Sequence, residues 1–407
     1  MPAEIVLVRH AETEANAAGI WQGGQDAPLT PTGGAQLRHL RRRLGEEPFD
    51  LVVSSPLGRA RASAAASGSA PELDAAWREM ELGAWEGRTN AEIAQHFGDE
   101  LAALRRGEDV PLGGDERMSE FTARVVGAFG ALTARLSDGE RALVITHGGV
   151  IYALASHVLG VDLRSRALRI SNTSLSSIQM TEYGPQLSVY NDATHLPDQP
   201  LRVDGPATHL YLVRHGQTRA NLEHRWQGHT DGELTDEGRR QAKAVAGALP
   251  ATDALYTSPL SRAHDTARAV AEDHGMEPVI HDDLKEIGFG EWESFTFEEI
   301  MVRDAADLER LRNGEDIARG RTGETFLGVR ARMNATLEGI AATHAEGTVA
   351  VVSHGGALRA FVTGLLDMHF RDRFRLGLLA NTGVARVVRS DGGFALGAWN
   401  LTPHLRR

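Results

Sequence analysis

Arginine–histidine pairs directly follow two short apolar runs of this 407-residue sequence, at Arg9–His10 and at Arg214–His215. A neutral imidazole can act as a nucleophile, and a guanidinium carries a fork of N–H donors that matches phosphate oxygens. Further along the chain stand Arg59, Glu79 and His147, which add a cation, a carboxyl group and a second imidazole. Such a set makes a poor hydrophobic core, and it predicts a pocket that binds an oxyanion.

The sequence consists of one unit that occurs twice. Residues 7–33 and 212–238 align without a gap at an offset of 205, and 14 of the 27 positions are identical. Later matches keep the same order and comprise Ser-Pro-Leu-x-Arg-Ala at 55–60 and 258–263, Glu-x-x-x-Gly-x-Trp-Glu at 79–86 and 286–293, His-Gly-Gly at 147–149 and 354–356, and Asn-Thr at 172–173 and 381–382. This period is far longer than that of a solenoid repeat, so it indicates a duplicated domain.

Each copy has the length of a single domain. The sequence predicts a first domain at 1–196, a linker at 197–208 and a second domain at 209–407. The linker contains Pro197, Pro200 and Pro206, a composition typical of a short, semi-stiff and exposed connection. We expect the two domains to pair within the chain.

Strands and helices alternate in both copies. The predicted strands are 5–8, 51–53 and 143–146 in the first copy and 210–213, 254–256 and 349–353 in the second, and the predicted helices are 32–44, 59–66, 236–249 and 262–272. This alternation predicts two tandem doubly wound α/β/α domains, each with a mostly parallel central sheet. Ligands of such sheets lie at the carboxyl ends of the strands, which is where His10 and His147 fall.

The composition excludes several classes of protein. The sequence has no cysteine, which rules out disulfide bonds, thiolate metal sites and a cysteine nucleophile. Its net charge of −12 argues against nucleic-acid and membrane partners, although a pocket for a small anion can be locally positive. No Gly-Lys pair occurs, so a loop of the GxxxxGK[ST] type is excluded. The apolar run at 5–8 is too short for a secretory signal, and we expect a cytoplasmic location.

Taken in order, Arg-His-[Ala/Gly]-x-Thr, Ser-Pro-Leu-x-Arg-Ala, Glu-x-x-x-Gly-x-Trp-Glu and His-Gly-Gly resemble the histidine phosphatase superfamily, in its phosphoglycerate-mutase-like branch. The ordered set occurs twice, and the resemblance covers nearly the whole chain outside the linker. It implies a two-step phosphoryl transfer through a phosphohistidine. No metal or other cofactor is needed, because arginines and histidines neutralise the phosphoryl charge.

The resemblance implies a role for each motif residue of the first copy. His10 would attack the phosphorus of a monoester through one ring nitrogen, while a backbone carbonyl holds the other ring nitrogen by a hydrogen bond. Arg9, Arg59 and His147 would bind the phosphoryl oxygens. Glu79 would protonate the leaving alkoxide and then, as a carboxylate, activate water against the phosphohistidine.

The second copy carries the same set of residues. By the alignment, its nucleophile, its acid and its three phosphate ligands are His215, Glu286, Arg214, Arg262 and His354. Secondary positions that line the family's pocket fall on four amide side chains, Asn16, Gln22, Asn221 and Gln227. The sequence therefore predicts an active site in each domain.

Two assignments have a competing interpretation. Glu81 lies two residues from Glu79, and only the alignment with Glu286, where residue 288 is Gly, favours Glu79. The segments 88–112 and 294–321 differ most between the copies and are expected to form a cap that faces the substrate. Their basic and aromatic residues would either contact the leaving group or form a solvated helix face, and they comprise Phe97, Arg105, Arg106, Phe295, Phe297, Arg303, Arg310 and Arg312.

We therefore expect a metal-independent phosphomonoesterase that hydrolyses a small phosphorylated metabolite. One alternative is a cofactor-dependent phosphoglycerate mutase. In that group a Tyr/Asn/Lys-rich stretch follows the acid, whereas the corresponding segments here, 83–89 and 290–296, contain no Lys, which favours hydrolysis. The other alternative is one catalytic domain beside a domain that only binds or pairs, which is disfavoured because both copies keep all five core positions.

Overall fold

The computed structural model describes residues 2–45, 48–197 and 205–405. The chain divides into two compact units. The first contains the described residues up to Val158 together with 169–197, and the second contains Leu159–Leu168 together with 205–405. Residues 198–204 of the predicted linker lie outside the described part, and the domain limits at 196 and 209 stay predictions.

A mixed sheet forms the centre of the first unit. Its described strands are β1 (Glu4–Arg9), β2 (Leu51–Ser54), β3 (Glu72–Leu73), β4 (Arg141–Thr146), β5 (Leu175–Thr181) and β6 (Gly184–Asp192). They follow the order β3-β2-β4-β1-β5-β6. The pairs β3–β2, β2–β4 and β4–β1 are parallel, whereas β5 pairs antiparallel with both β1 and β6.

Helices of the first unit connect and cover these strands. They are α1 (Glu14–Ala17), α2 (Pro31–Leu44), α3 (Gly58–Ala64), α4 (Asn90–His96), α5 (Gly98–Arg105), α6 (Met118–Thr133) and α7 (Gly148–Leu159). The start of α2 is fixed by Thr30, whose side chain accepts the N–H of Gly33, and by proline at the first helical position. Short 3₁₀ turns occur at Ala65–Ser67, Ala75–Trp77, Gly83–Trp85 and Leu112–Gly114.

The second unit repeats this arrangement. Its strands are β7 (Thr208–Arg214), β8 (Ala254–Thr257), β9 (Val279–Ile280), β10 (Thr348–Ser353), β11 (Val384–Ser390) and β12 (Gly393–Leu401), in the order β12-β11-β7-β10-β8-β9. Its helices are α8 (Arg219–Leu222), α9 (Asp236–Ala246), α10 (Ser261–His274), α11 (Phe297–Arg303), α12 (Ala305–Arg312), α13 (Phe326–Thr343) and α14 (Gly355–Leu365). Its 3₁₀ turns are Asp282–Leu284, Gly290–Trp292, Phe370–Arg375 and Pro403–Leu405.

The central strands of each sheet are buried on both faces. Successive side chains of a strand point to opposite faces, so Val6 and Val8 of β1 pack with Leu40 of α2, while Ile5 and Leu7 are buried on the other face. Burial on both faces explains why the parallel strands read as continuous apolar runs. The predicted α/β fold with a mostly parallel sheet is confirmed, and the antiparallel hairpins β5–β6 and β11–β12 are additions that the sequence analysis did not predict.

Among the described residues, no helix combines the length and the apolar character that a membrane crossing requires. The expected cytoplasmic location stays a prediction.

Candidate active sites

His10 and His215 lie immediately beyond the carboxyl ends of β1 and β7. The neighbouring parallel strands hold their backbones, since the N–H of His10 donates to Thr146 O at 2.9 Å and that of His215 donates to Ser353 O at 3.0 Å. Each of the two histidines is only 3% exposed. A position at the end of a central strand fixes both rings on a rigid element.

Hydrogen bonds determine which ring nitrogen of these histidines can react. Nδ1 of His10 lies 2.8 Å from Ala11 O, and Nδ1 of His215 lies 2.7 Å from Gly216 O. A carbonyl oxygen only accepts, so in both rings Nδ1 carries the proton and Nε2 keeps its lone pair. The predicted anchoring to a backbone carbonyl is therefore present in the structure, and Nε2 is the candidate nucleophilic atom.

Burial keeps both rings neutral. Desolvation, reinforced by the charges of Arg9 and Arg59, holds the pKa of His10 well below its usual value. Burial and the charges of Arg262 and Arg214 lower the pKa of His215 in the same way. A neutral imidazole has the free electron pair that attack on phosphorus needs.

A second imidazole faces each of these rings. The ring centroids of His10 and His147 are 5.2 Å apart, and those of His215 and His354 are 5.1 Å apart. Nε2 of His147 lies 2.8 Å from the hydroxyl of Ser55, and His354 has the same contact with its own strand-end serine, Ser258, at 2.8 Å. Nδ1 of both rings is buried and has no hydrogen-bond partner within the described residues. These Nδ1 atoms are therefore the ones available to a phosphoryl oxygen.

Arg59 is anchored so that part of its guanidinium stays available to a ligand. Nη1 donates to Gln25 O at 2.6 Å and to Asp26 Oδ1 at 3.0 Å, and Nη2 donates to Gly23 O at 2.8 Å. Nε is buried without a partner in the described part of the chain. A guanidinium has five N–H donors, so Nε–H and the second Nη2–H form an unused fork of the kind that binds two phosphate oxygens.

Arg262 has a similar anchor in the second unit. Nη1 donates to Thr230 O at 3.1 Å and Nη2 donates to Gly228 O at 2.7 Å, while Nε is buried without a described partner. The carboxylate of Asp231 stands 3.8 Å from Nη1, farther than Asp26 stands from Arg59. The same fork is thus presented with weaker support from its acidic neighbour.

Arg9 and Arg214 border the glycine-rich starts of α7 and α14. Nη1 of Arg9 donates to Ile170 O, and Nη1 of Arg214 donates to Leu379 O at 2.6 Å. A Cβ atom on Gly148 would lie 3.4 Å from Arg9 Nε, and one on Gly355 would lie 3.2 Å from Arg214 Nε. The two arginines therefore place positive charge beside a helix N-terminus, an arrangement that suits an anion.

Glu79 lies at the same helix start. Its Oε2 accepts the N–H of Gly149 at 3.0 Å, and its Oε1 accepts the N–H of Met80 at 3.1 Å. A Cβ atom at position 149 would come within 2.2 Å of Oε1, so glycine is required there for this carboxyl group to dock. The geometry places the Glu79 carboxyl group at the helix start that Arg9 borders, and its role as the acid stays a prediction.

Glu286 takes the equivalent position in the second unit. It accepts the N–H groups of Gly356 at 3.0 Å, Ala357 at 2.8 Å and Ile287 at 2.9 Å. The competing candidate in the first unit, Glu81, instead pairs with Arg78 at 3.2 Å and has no counterpart in the second. The geometry therefore favours Glu79 as the partner of Glu286.

An arginine that was not among the predicted site residues braces the loop that carries each candidate acid. Arg124 donates to Ala76 O at 3.0 Å, to Arg78 O at 3.0 Å and to Glu79 O at 3.3 Å, while Glu116 fixes its guanidinium from the other side at 2.9 Å. Arg332 and Glu324 form the same brace around Glu286. The regular spacing of Glu and Arg, eight residues in both copies, was the available signal.

The predicted amide positions lie beside the nucleophile loops. Oε1 of Gln22 accepts the hydroxyl of Thr13 at 2.8 Å, and its Nε2 is buried without a described partner. Asn172, which the sequence analysis noted only as a repeat match, links Asn16 Oδ1 at 3.1 Å with His10 O at 2.9 Å. In the second unit Thr218, Gln227, Asn221 and Asn381 make the corresponding contacts.

Most described basic residues of the cap segments pair with neighbouring acids. Arg106 pairs with Glu108, Arg303 with Glu291, and Arg310 with both Glu315 and Asp307. These arginines are 41–60% exposed, which favours the solvated-face interpretation for them. The side chain of Arg105 lies outside the described part. Phe97 packs against Trp85, which precedes the first cap segment, and Phe295 packs against Arg303 within the second.

Comparison with known families identifies the class of protein. The family model of the histidine phosphatase superfamily (branch 1) matches residues 5–193 and 210–402. The chain therefore belongs to this superfamily and contains two tandem domains of it. The predicted family membership is confirmed.

Individual relatives match one domain's length of the chain. It is 34% identical over 219 residues to a bifunctional protein of Mycobacterium tuberculosis, covering 52% of this chain and 60% of that protein. It is 35% identical over 198 residues to phosphoserine phosphatase 1 of Hydrogenobacter thermophilus, covering 48% of this chain and 93% of that protein. It is 31% identical over 192 residues to a probable phosphoglycerate mutase of Cronobacter sakazakii, covering 47% of this chain and 89% of that protein.

Proposed function

We propose that each unit hydrolyses phosphomonoesters of small metabolites through a phosphohistidine, at His10 in the first unit and at His215 in the second. The observation that carries this proposal is the pair of buried, neutral imidazoles, each anchored through Nδ1 and each beside an arginine with an unused donor fork. The phosphatases among the relatives support hydrolysis as the reaction.

In the first step Nε2 of His10 attacks the phosphorus atom. The new P–N bond forms as the P–O bond to the leaving group breaks, and Glu79, as a carboxylic acid, gives its proton to the departing oxygen. Arg9, Arg59 and His147 bind the non-bridging oxygens and stabilise the charge that the transition state spreads over them. Because these donors are held by the fold before substrate arrives, little reorganisation is required.

In the second step water replaces the imidazole. Glu79, now a carboxylate, accepts a proton from water as the water oxygen bonds to phosphorus and the P–N bond breaks. Inorganic phosphate leaves, and the imidazole and the carboxylic acid return to their starting states. Nothing in this sequence of steps needs a resident metal.

Both units carry the complete set of groups, which is why the proposal includes two sites. A unit that only binds or pairs has no need of a neutral ring, a free donor fork and a docked carboxyl group together. The second unit reproduces the anchoring of its histidine within 0.1 Å of the first, at 2.7 Å against 2.8 Å. Pairing of the two domains within the chain stays a prediction.

Variants of the two histidines test the proposal. We expect His10→Ala and His215→Ala each to remove one set of turnovers, and the double variant to remove nearly all phosphate release from a panel of metabolite monoesters. Mass spectrometry after acid-free quenching is expected to find phosphate on both rings in the wild type. If either single substitution leaves the hydrolysis rate of every substrate unchanged, two-site hydrolysis is contradicted. Isomer formation from 3-phosphoglycerate with a bisphosphate primer, without free phosphate, would establish the mutase alternative.

A further inference from the structure

The two pockets share their phosphate-facing groups but differ one helical turn further along α7 and α14. Tyr152 occupies this position in the first unit and Arg359 occupies it in the second. Residue 359 follows Gly355 by four positions and Gly356 by three, so it lies on the same face of α14 as those glycines. Helical side chains lean back toward the preceding turn, which directs residue 359 toward the start of the helix.

The acid and one phosphate ligand lie at that helix start. A Cβ atom on Gly356 would lie 2.6 Å from Oε1 of Glu286, and one on Gly355 would lie 3.2 Å from Nε of Arg214. The side chain at 359 therefore borders the part of the pocket where Glu286 must meet the oxygen of the leaving group. This position is suited to select the leaving group, because the phosphoryl group is already bound by other residues.

Arg359 brings an uncompensated positive charge to this position. Its Nε is buried without a hydrogen-bond partner, and it forms no ion pair with any described carboxylate. Phe374 supports the guanidinium, whose carbon lies 5.2 Å from the ring centroid. Burial lowers the pKa of Arg359 to about 10, with Glu286 acting in the opposite direction and Arg214 and Arg319 adding to the lowering. The group is thus cationic at neutral pH and within electrostatic range of the acid.

A second difference between the units also adds an arginine, but an aspartate balances its charge. Leu112 of the first unit corresponds to Arg319 of the second. Arg319 is buried and pairs with Asp316 at 2.8 Å, so this acid balances most of its charge.

A further buried arginine, Arg373, lies over the rings of Phe370 and Phe374 and donates to the backbone carbonyl groups of Phe370 and Leu311. The additional positive charge of the second unit therefore rests on Arg359 together with Arg373.

On the other side of the acid, two positions have exchanged a glycine for a larger side chain between the copies. This exchange also makes the surroundings of the second acid more positive than those of the first. In the first unit Glu81 fills the space beside a glycine, since a Cβ atom on Gly24 would lie 2.5 Å from its Oε2. In the second unit the positions are reversed: residue 288 is the glycine, and His229 fills the space, 3.3 Å from a Cβ atom placed at 288. Nε2 of His229 lies 2.9 Å from Glu286 O. A carboxylate beside the first acid is thus replaced by an imidazole beside the second.

We propose that the second site selects monoesters whose leaving group carries a carboxylate, whereas the first site favours monoesters with an uncharged, hydroxyl-bearing leaving group. This inference rests on the proposed function, since it concerns the leaving group of the same reaction. Arg359 would bind the carboxylate by charge-assisted hydrogen bonds that the phenol of Tyr152 cannot match.

A matched pair of ligands tests the division between the sites. 3-Phosphoglycerate and glycerol 3-phosphate differ in that a carboxylate replaces a hydroxymethyl group at the end remote from phosphate. His10→Ala leaves only the second site, and His215→Ala leaves only the first. The inhibition constant of each ligand is measured against hydrolysis of p-nitrophenyl phosphate, so the test does not depend on turnover of either ligand. We expect the preference for 3-phosphoglycerate to be at least about tenfold greater in His10→Ala.

Exchange of the differing residue sharpens the test. Arg359→Tyr in the His10→Ala protein is expected to weaken binding of 3-phosphoglycerate about tenfold more than binding of glycerol 3-phosphate. Tyr152→Arg in the His215→Ala protein is expected to raise the preference for 3-phosphoglycerate. Arg240→Tyr, at an exposed arginine of α9 that pairs with Glu237, is the matched control and should leave both ratios as they are.

The outcomes separate this inference from the proposed function. If neither single-site protein releases phosphate from p-nitrophenyl phosphate, the proposed hydrolysis is wrong. If both proteins release phosphate but show the same ratio of inhibition constants, the division of leaving groups is wrong and hydrolysis stands. The comparison of the two single-site proteins requires no change at 359, so it decides the matter even where Arg359→Tyr fails to fold.

Discussion

The two candidate sites of this chain are nearly identical around His10 and His215 and differ one helical turn further along α7 and α14. His10 and His215 each donate Nδ1–H to a backbone carbonyl, and His147 and His354 each lie 2.8 Å from a strand-end serine. Beyond the acid the two copies differ. Tyr152 is aligned with Arg359, Glu81 with Gly288, and Gly24 with His229. Under the proposed function, the first group of contacts serves phosphoryl transfer and the second group serves recognition of the leaving group.

This comparison teaches where substrate choice resides in such a fold. The duplicated domains provide an internal control, because both are built on the same sheet order and the same helix starts. If both units carry out the proposed reaction, the groups on strand ends and helix starts recur because the reaction needs them. Residues one turn away would then touch only the variable part of the substrate and would be free to diverge.

The largest expected effect comes from adding one methyl group at a helix start. Gly149→Ala places Cβ 2.2 Å from Oε1 of Glu79, and Gly356→Ala places it 2.6 Å from Oε1 of Glu286. We expect each substitution, made in the corresponding single-site protein, to lower kcat by about 10²-fold, since the acid must move by about 1 Å. The first site should lose more, because its contact is closer.

Gly127→Ala in α6 is the matched control, because a Cβ atom there meets nothing within 4 Å. The expected loss should appear in kcat for the phosphoryl-transfer step, measured by single turnover. A variant at 149 that keeps kcat within twofold of its parent would show that the docked position of Glu79 does not matter for catalysis.

The next effect concerns the arginine brace, where the two sites should respond equally. Arg124 contacts the carbonyl oxygen of Glu79 at 3.3 Å, and Arg332 contacts that of Glu286 at 3.4 Å. Arg124→Ala and Arg332→Ala are expected to lower kcat about tenfold, with little change in KM. This corresponds to a loss of about 1.4 kcal/mol of transition-state stabilisation. Lysine at either position should restore part of the rate.

Equal losses of kcat in the two variants would show that the arginine braces have the same role in both units. A rise in KM with kcat unchanged would instead show that Arg124 acts on substrate binding, and it would contradict a positioning role.

The sequence alone predicted the groups that recur in a fixed order. His10, Arg59 and His147 could be named as candidates because their motifs stand at or near the ends of short apolar strands, and parallel strands bring such ends to one edge. Glu79 could be chosen over Glu81 only through the second copy. The duplication therefore replaced part of the information that an alignment of relatives would supply.

Contacts between distant and unremarkable residues could not be predicted. Ser55, Asn172 and Arg124 act through partners 92, 162 and 45 residues away, and no local pattern encodes such pairings. The β5 strand was also missed, because its four buried residues come first and its three half-buried residues come last, without the alternation typical of a half-buried strand. Tertiary packing decides these features.

A smaller effect concerns acid stability, which both units should share. The pKa of His10 is held well below its usual value by burial and by the charges of Arg9 and Arg59. The unfolded chain therefore takes up a proton near pH 6.5 that the folded unit does not bind, so stability falls as the pH drops below about 6.5. This histidine contributes up to about 1.4 kcal/mol per pH unit to that loss.

We expect His10→Asn to make the pH dependence of urea unfolding shallower by up to this amount between about pH 6.5 and 5. His215→Asn should act alike in the second unit. The same substitution at the exposed His157 is the control. Identical pH dependence in wild type and His10→Asn would show that the folded ring titrates like the unfolded one.

The smallest expected effect separates Arg59 from Arg262, the two arginines proposed to bind phosphate. Asp26 contacts Arg59 Nη1 at 3.0 Å and also accepts the N–H of Gly58 at 2.6 Å, whereas Asp231 lies 3.8 Å from Arg262 Nη1 and accepts from Ser261. Both carboxylates are about half exposed, so a pair of this kind contributes only about 0.5–1 kcal/mol.

Asp26→Asn should therefore raise KM at the first site about two- to fivefold, and Asp231→Asn should raise KM at the second site less than about twofold. Steady-state kinetics of the two single-site proteins at low and high salt measures this difference in KM. Salt screens the attraction between each aspartate and its arginine, so the KM effect should shrink at high salt. Equal increases in KM would mean that the shorter distance at Asp26 adds nothing to the orientation of Arg59. The two phosphate pockets would then be alike in this respect too, and their differences would be confined to the residues around the leaving group.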